Sequence, residues 1–262
     1  MMRSLMTAGN GMIAQQHNLD VIANNLANVN TAGFKQQRAE FQDLMYQTVH
    51  GAAMSQEGAA TPTESLQIGM GTRIAATASN FKAGTLETTG NPLNMAISGN
   101  GFFKLKGGDG KPVYTRDGSF KLNGDGKIVN SDGLFLDTDV EIPNGTTAVY
   151  VDKTGTVRGI KAGETDASDL GKIGLTAFPN PGGLLRLGNN LFGATEGSGP
   201  VAEGAPGAAG MGDLTSGAIE TSNVEVVEEM TRMITAQRAY EINSKAIQTA
   251  DDMLGIVNNL KR

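Results

Sequence analysis

The sequence contains no cysteine and no tryptophan among its 262 residues. The absence of cysteine excludes disulfide bonds, thiolate metal ligands and cysteine nucleophiles, and it is compatible with any redox compartment. Aromatic residues make up only 5% of the chain, whereas glycine occurs 36 times. This composition indicates a turn-rich and thinly packed centre rather than the dense core of an enzyme.

An excess of positive charge is also missing, since 21 lysines and arginines face 27 acidic residues and give a net charge of -6. No basic stripe can displace counterions from phosphates, which argues against a general nucleic-acid binder. The two histidines, His17 and His50, supply too little material for a catalytic dyad or a histidine metal cluster. The acidic pair Glu228 and Glu229 points in two directions around a helix. We therefore expect no catalytic residue, no metal site and no cofactor.

Long hydrophobic runs are absent as well. No apolar stretch is long enough to span a bilayer, and residues 1–30 lack the continuous apolar core of a cleavable secretory signal. We expect neither membrane insertion nor a cleaved signal peptide. Export by a route that needs no cleaved signal stays open.

Apolar residues recur at intervals of seven at both ends of the chain, the spacing of a coiled-coil helix. The residues assigned to this seam are Leu5, Met12, Leu19, Ile22, Leu26 and Val29 near the N-terminus, and Val226, Met233, Ala236, Tyr240, Ile247, Ala250, Leu254 and Val257 near the C-terminus. Glu229 and Asn243 interrupt the second series. An isolated helix seldom holds itself, so we expect the two helices to pair. The alternative is that each packs on the central domain as an ordinary amphipathic helix.

The middle of the chain carries a β pattern. Short apolar runs alternate with turns such as Asp117-Gly118 and Asn123-Gly124-Asp125-Gly126, and these dipeptides supply the positive backbone angles of tight hairpins. A calcium loop uses similar residues, but here Lys127 stands at a ligand position and Leu134 replaces the bidentate glutamate. The expected fold class is α+β, with the N- and C-terminal α-helices paired as a coiled coil and a β-rich central body of short antiparallel strands.

Composition also divides the chain into segments. We expect the N-terminal helix within residues 1–35, an extended arm and insertion over 36–72, a β-rich body over 73–215 and the C-terminal helix over 216–262. The β body is expected to form two subdomains, with residues 95–180 outermost.

Residues 46–67 read YQTVHGAAMSQEGAATPTESLQ and show almost no periodicity. Loops of this length are uncommon in compact domains and are usually functional or disordered. We expect neighbouring subunits to hold this insertion in place. The residues assigned to it are Tyr46, Gln47, Gly51, Met54, Pro62 and Gln67.

The sequence ANNLANVNTAGFK at 23–35 resembles the N-terminal motif of bacterial flagellar rod and hook proteins. The C-terminal run from 222 to 254 resembles the other end of the same family, and GNPL at 90–93 with GNGFF at 99–103 extends the resemblance over essentially the whole chain. The motif residues are Ala23, Asn24, Asn25, Leu26, Ala27, Asn28, Asn30, Gly33 and Phe34.

Length and the insertion at 46–67 make the chain similar to the distal-rod members of that family. The resemblance implies a structural subunit that polymerises into a rigid, hollow helical tube. This tube transmits motor torque to the hook and encloses the export channel. The terminal helices would line the channel, the β body would lie outside them, and the insertion would oppose bending.

The resemblance also implies the partners and the location. The partners are further copies of the chain, proximal rod proteins, the hook protein, P-ring and L-ring proteins and the flagellar type III export apparatus. The location is the basal body in the periplasm of a two-membrane bacterium, reached without a cleaved signal peptide.

Two rival classes remain at this stage, a secreted β-rich adhesin and a cell-wall hydrolase. An adhesin needs a different export signal and leaves the two terminal helices unexplained. A hydrolase needs a convergent acid and base or metal ligands, and digestion of peptidoglycan by the purified chain tests for one.

Overall fold

A computed structural model describes residues 2–50, 66–108, 110–143, 145–161, 167–208 and 210–260. The chain forms two compact units. The first contains Met1–Leu26, Gln37–Ala78 and Val226–Arg262, and the second contains Ala27–Gln36 and Ser79–Glu225. The domain boundaries expected near residues 35, 72 and 215 stay predictions, since this division groups the chain by spatial contact rather than by composition.

The first unit contains the helices α1 (Met2–Ala27) and α2 (Val226–Leu260). They pack together, which confirms the paired terminal helices expected from the heptads. The pairing is antiparallel, because Gly11 faces Asn243 and Asn25 is hydrogen-bonded to Glu229. Within the described residues, neither helix is long and apolar enough to cross a membrane.

The first unit also contains a two-stranded ribbon that is made of two successive strand pairs. The strands are β1 (Gln37–Asp43), β2 (Tyr46–His50), β3 (Leu66–Gly69) and β4 (Thr72–Ser79). β1 pairs with β4, and β2 pairs antiparallel with β3. The backbone N–H of Leu44 donates to the carbonyl of Gly71 at 2.9 Å, between the two pairs. The β1-β4 pair therefore continues into the β2-β3 pair through the short connections at 44–45 and 70–71.

The second unit consists mainly of short strands, as the turn-rich sequence predicted. In chain order these are β5 (Leu86–Thr88), β6 (Met95–Ser98), β7 (Phe103–Lys106), β8 (Pro112–Thr115), β9 (Lys121–Leu122), β10 (Ile128–Val129), β11 (Phe135–Leu136), β12 (Thr146–Val151), β13 (Thr156–Lys161), β14 (Ser168–Lys172), β15 (Leu175–Ala177), β16 (Leu185–Gly188), β17 (Leu191–Gly193), β18 (Ala202–Gly204), β19 (Asp213–Ser216) and β20 (Ala218–Glu220). One sheet has the order β16-β17-β8-β7-β11-β10-β9, and another has the order β12-β13-β14. The remaining strands form the pairs β15-β18, β19-β6 and β20-β5. These pairings are antiparallel, in agreement with the expected fold class.

Tight turns and two hydrophobic clusters hold this β body together. The N–H of Gly126 donates to the carbonyl of Asn123 at 3.0 Å, as the hairpin interpretation requires. The larger cluster includes Phe103 and Phe120, whose rings meet edge to face at 5.0 Å. The second cluster is aromatic and consists of Phe102, Tyr114, Phe178, Leu184 and Phe192, with Phe81 packed against it. About half of the aromatic residues are thus buried in these two clusters, where their rings bury large areas.

Candidate functional site

The seam between α1 and α2 is the first part of the candidate site. Ile22, Ala236 and Ala250 are buried in it. The half-buried members of the expected seam are Leu5, Met12, Leu19, Leu26, Met233, Ile247 and Leu254. Val226, Tyr240 and Val257 are exposed, and Val29 lies beyond the end of α1.

The seam also contains a polar contact between Asn25 and Glu229, both of which are completely buried. The Asn25 amide nitrogen donates to the Glu229 carboxylate at 3.2 Å and to the Gln37 carbonyl at 2.8 Å. The Asn25 amide oxygen accepts from the Gln37 N–H at 2.9 Å. Arg232 lies 3.5 Å from the other oxygen of Glu229. A buried carboxylate needs partners of this kind, and here they fasten α2 and β1 to the same side chain of α1.

Asn243 also belongs to the seam although it interrupts the apolar pattern. It faces Gly11, where an added Cβ would approach the Asn243 side-chain nitrogen to 2.9 Å. Glu229, Ala236, Asn243 and Ala250 are spaced by seven, so both interrupting residues share the phase of the two buried alanines. That shared phase was the signal in the sequence for their position in the seam.

The opposite face of α2 carries scattered apolar residues. Val227, Ile234 and Ile256 project roughly 180° away from Glu229 and Ala236, given about 100° of rotation per residue. All three are exposed, and Val227 is 78% accessible. The exposed charged residues Arg238 and Lys245 lie on the same side between Ile234 and Ile256. α2 therefore packs its seam face on α1 and exposes a mixed apolar and charged face.

A cluster of three buried charges lies in the second unit. The Lys35 ammonium and the Glu220 carboxylate are 2.6 Å apart with both side chains fully buried. The Arg116 guanidinium lies 3.3 Å from the second oxygen of Glu220. Lys35 also donates to the Lys82 carbonyl at 2.9 Å, and the N–H of Gly84 donates to Glu220 at 2.9 Å.

This cluster connects the residues that follow α1 in the chain with those that precede α2. Burial lowers the pKa of Lys35 below its usual value, while the charge and hydrogen bond of Glu220 act in the opposite direction. Burial likewise lowers the pKa of Arg116, against the attraction of Glu220. No motif or periodic pattern in the sequence points to Arg116 or Glu220. The two partners Lys35 and Glu220 are 185 positions apart, so no local pattern reveals them.

The motif residues Gly33 and Phe34 fit closely into the second unit. Gly33 has a φ of +69°, and an added Cβ would lie 2.6 Å from the backbone nitrogen of Asp117. The ring of Phe34 is buried with the Arg186 guanidinium 5.3 Å from its centre. Of the other motif residues, Asn25 is buried, Leu26 and Asn28 are half-buried, and Ala23, Asn24, Ala27 and Asn30 are exposed.

The insertion at 46–67 is described in part. Tyr46 and Gln47 lie in β2 and Gln67 lies in β3, and all three are exposed. Gly51, Met54 and Pro62 lie outside the described residues.

The described ranges contain no group of three or more histidine, aspartate or glutamate side chains that could hold a metal ion. His17 is exposed, 3.9 Å from the equally exposed Asp20. Paired terminal helices, a β body that lies between them in the sequence and exposed apolar residues on α2 are features of a structural protein that assembles with other subunits.

Comparison with known proteins gives the family. Three family models match the chain: "Flagella basal body rod protein" over residues 5–35, "Flagellar hook protein FlgE/F/G D1 domain" over 96–159 and "Flagellar basal body rod FlgEFG protein C-terminal" over 215–260. The flagellar basal-body rod protein FlgG of Borreliella burgdorferi is 49% identical, with both chains covered completely. FlgG of Caulobacter vibrioides is 44% identical over 99% of this chain and all of the relative.

The flagellar hook protein FlgE of Borreliella burgdorferi is more distant, at 25% identity in an alignment of 444 residues that covers both chains completely. The chain belongs to the family of flagellar basal-body rod proteins represented by FlgG. The members of this family are structural proteins of the flagellar basal body and not enzymes.

Proposed function

We propose that this chain is a structural subunit of the flagellar distal rod, polymerising into a rigid hollow tube that transmits motor torque to the hook and encloses the export channel. The observation that carries this proposal is its full-length similarity to basal-body rod proteins of the FlgG type. The paired terminal helices and the exposed apolar residues Val227, Ile234 and Ile256 of α2 support it, since a polymer subunit needs faces for its neighbours.

In this tube the two helices form the inner layer around the channel, and the β body forms the outer layer. The polar residues of α1 support this arrangement because many of them are uncharged. They include Asn10, Gln15, Gln16, Asn18 and Asn24. Asn10 is bonded to the Met70 carbonyl, and Gln15 and Asn18 line a groove beside β1, so Gln16 and Asn24 are the members of this set that a channel-lining role would use.

The proposed partners are other copies of the chain, proximal rod proteins and the hook protein, and further the P-ring and L-ring proteins and the type III export apparatus. The proposed location is the periplasmic part of the basal body, reached without a cleaved signal peptide. The ring and export partners follow from the function and rest on no contact in this chain.

The insertion at 46–67 stiffens the rod in this proposal. Its described ends form the antiparallel pair β2-β3, with exposed side chains that a neighbouring subunit can cover. Deleting residues 47–66 should produce rods that bend as a hook does, whereas the single substitution Thr48→Ala should leave them straight. Straight rods after the deletion would contradict the stiffening role.

The distal-rod function itself is tested in cells that lack the chain. Electron microscopy of their isolated basal bodies should show rods that end before the hook, and re-expression of the chain should restore the missing segment. A complete rod in the absence of the chain would refute the function.

A further inference from the structure

One edge of strand β1 is open. β1 forms a two-stranded sheet with β4, and no other strand of the described ranges pairs with it. The unpaired edge of a strand presents a row of backbone donors and acceptors, which is a template for another strand.

Hydrogen bonds show which residues of β1 and the connection after it direct their backbone polar groups toward β4. The N–H of Leu44 donates to the carbonyl of Gly71 at 2.9 Å. The Thr72 hydroxyl donates to the carbonyl of Gln42 at 3.0 Å. The even-numbered residues therefore direct their backbone polar groups toward β4.

Gln37 directs its backbone groups to the other side. Its N–H donates to Asn25 of α1 at 2.9 Å, and its carbonyl accepts from the same side chain at 2.8 Å. Successive residues of a strand alternate in this direction. The backbone groups of Ala39 and Phe41 consequently point to the same side as those of Gln37, away from β4, and beyond the bonds between Gln37 and Asn25 they form the open edge.

A groove of about 760 Å³ runs along this strand, lined by residues of α1, α2, β1 and β4. Its lining includes the buried residues Ile22, Ala39 and Ala236 and the small residues Ala75 and Ala239. Small side chains allow the backbone of an incoming strand to come close. The open edge beyond Gln37 extends to Asp43, a length of roughly 17 Å at about 3.4 Å per residue.

The chain carries an extended segment of matching length that cannot fill its own groove. β2 contains five residues and follows β1 in the same ribbon after a two-residue connection, so it lies beyond the end of β1 and not beside it. Met45, Tyr46 and Ile68 at the base and on the strands of this hairpin are exposed apolar residues. A second copy of the chain can supply the same hairpin from outside.

We propose that the β2-β3 hairpin of one copy adds to the open edge of β1 in a second copy and fills the groove beside the helix pair. Backbone hydrogen bonds supply affinity in this mode of recognition, and side-chain pockets supply register. The proposal rests on the proposed function, in which copies of the chain assemble with one another.

The contact joins the hairpin of one copy to the groove of the next, so the first copy keeps a free groove and the second copy keeps a free hairpin. Heterologous contacts of this kind continue into rings or helical filaments rather than closing as a dimer. The ribbon would thus be a directional connector between successive subunits.

Cysteine cross-linking tests the contact directly, because the chain has no cysteine of its own. Phe41→Cys is combined with Ile68→Cys or with Tyr46→Cys, and isolated basal bodies are treated with a short bismaleimide. Phe41→Cys with Tyr150→Cys is the matched control, since Tyr150 is exposed but belongs to the second unit. Proximity raises the effective concentration, so the hairpin pairs should give about tenfold more cross-linked dimer than the control.

Several outcomes overturn the proposal. Intact rods that yield no more hairpin dimer than the control contradict it and leave the distal-rod function standing. Strong dimers from Phe41→Cys alone also contradict it, because they indicate that two β1 edges meet each other. Complete rods in cells that lack the chain refute the distal-rod function instead.

A backbone variant gives a second, independent test. Phe41→Pro removes an N–H of the open edge and leaves the bonds to β4 in place, and proline is tolerated at sheet edges. Phe41→Ala keeps that N–H and is the control. Rods should be lost with Phe41→Pro and kept with Phe41→Ala. Equal rod assembly by the two variants would overturn the proposal.

Discussion

Replacing Lys35 by methionine should strongly destabilise the second unit. The substitution removes the ammonium that lies 2.6 Å from Glu220 and leaves this fully buried carboxylate with Arg116 as its nearest charge. Breaking a buried ion pair from one side costs about 3–5 kcal/mol because the remaining charge stays in a low-dielectric environment. Arg116 stays within 3.3 Å and offsets part of this cost, so we expect a value near the lower limit.

A loss of about 3 kcal/mol corresponds to a fall in Tm of roughly 6–12 °C for a domain of about 150–250 residues. Differential scanning calorimetry of the purified chain measures it. The control is Lys111→Met, which removes an exposed lysine and should change the free energy of unfolding by less than about 0.5 kcal/mol.

A double-mutant cycle with Glu220→Gln then isolates the pair. The double variant should lose clearly less stability than the sum of the single variants, because Glu220→Gln alone leaves both Lys35 and Arg116 without a carboxylate, whereas the double variant leaves only Arg116 so. The role assigned to the cluster would be refuted if Lys35→Met and Lys111→Met had the same Tm within error. It would also be refuted if the losses of stability in the double-mutant cycle were strictly additive.

Three further predictions concern other positions. Gly33→Ala should lower the free energy of unfolding by at least about 1–2 kcal/mol because alanine resists a positive φ, whereas Gly108→Ala, with open space around it, should cost less in the same denaturant titration. Gly11→Ala should not give the stabilisation of about 1 kcal/mol expected from helix propensity, because the new methyl group meets the Asn243 side chain. In the Asn243→Ala background the same substitution should stabilise the protein, as measured by thermal melts followed by circular dichroism. Stabilisation by Gly11→Ala in the presence of Asn243 would contradict the close contact. The hydrogen bond from Lys104 lowers the pKa of Asp137 below its usual value, so this stabilisation is present above the pKa of about 4 of an unfolded aspartate and is lost as the pH falls through the lowered pKa. Asp137→Asn should therefore flatten the acid limb of the stability curve, and an unchanged slope would contradict it.

The helices and the β character of the middle were predictable because their signals are local. Seven-residue spacing reports which side of a helix is buried, and Asn123-Gly124-Asp125-Gly126 lies where the β9-β10 hairpin turns. The prediction of a tight hairpin at Asp117-Gly118 is wrong, because β8 and β9 on either side of it pair with other strands. The order of the strands was not predictable in this way. β16 and β17 join the long sheet beside β8, about 70 residues earlier in the chain, and short strands on glycine turns do not encode such a pairing.

The polar residues of the site were harder to predict than the apolar ones. Glu229 interrupts an apolar series, and its contacts with Asn25 on the other helix and with Arg232 explain its burial. The same holds for Glu220, whose partner Lys35 belongs to the opposite end of the sequence. A charged side chain is buried in a core only when it forms an ion pair or hydrogen bonds there. A single sequence does not show which distant residues come into contact.

The most direct test of the central claim is cryo-electron microscopy of intact basal bodies at a resolution that separates helices. We expect subunits of this chain to fill the rod segment next to the hook, with Met2–Ala27 and Val226–Leu260 paired antiparallel around the channel. The account would be contradicted if that segment contained no density for this chain, or if the β body lined the channel instead of the helix pair.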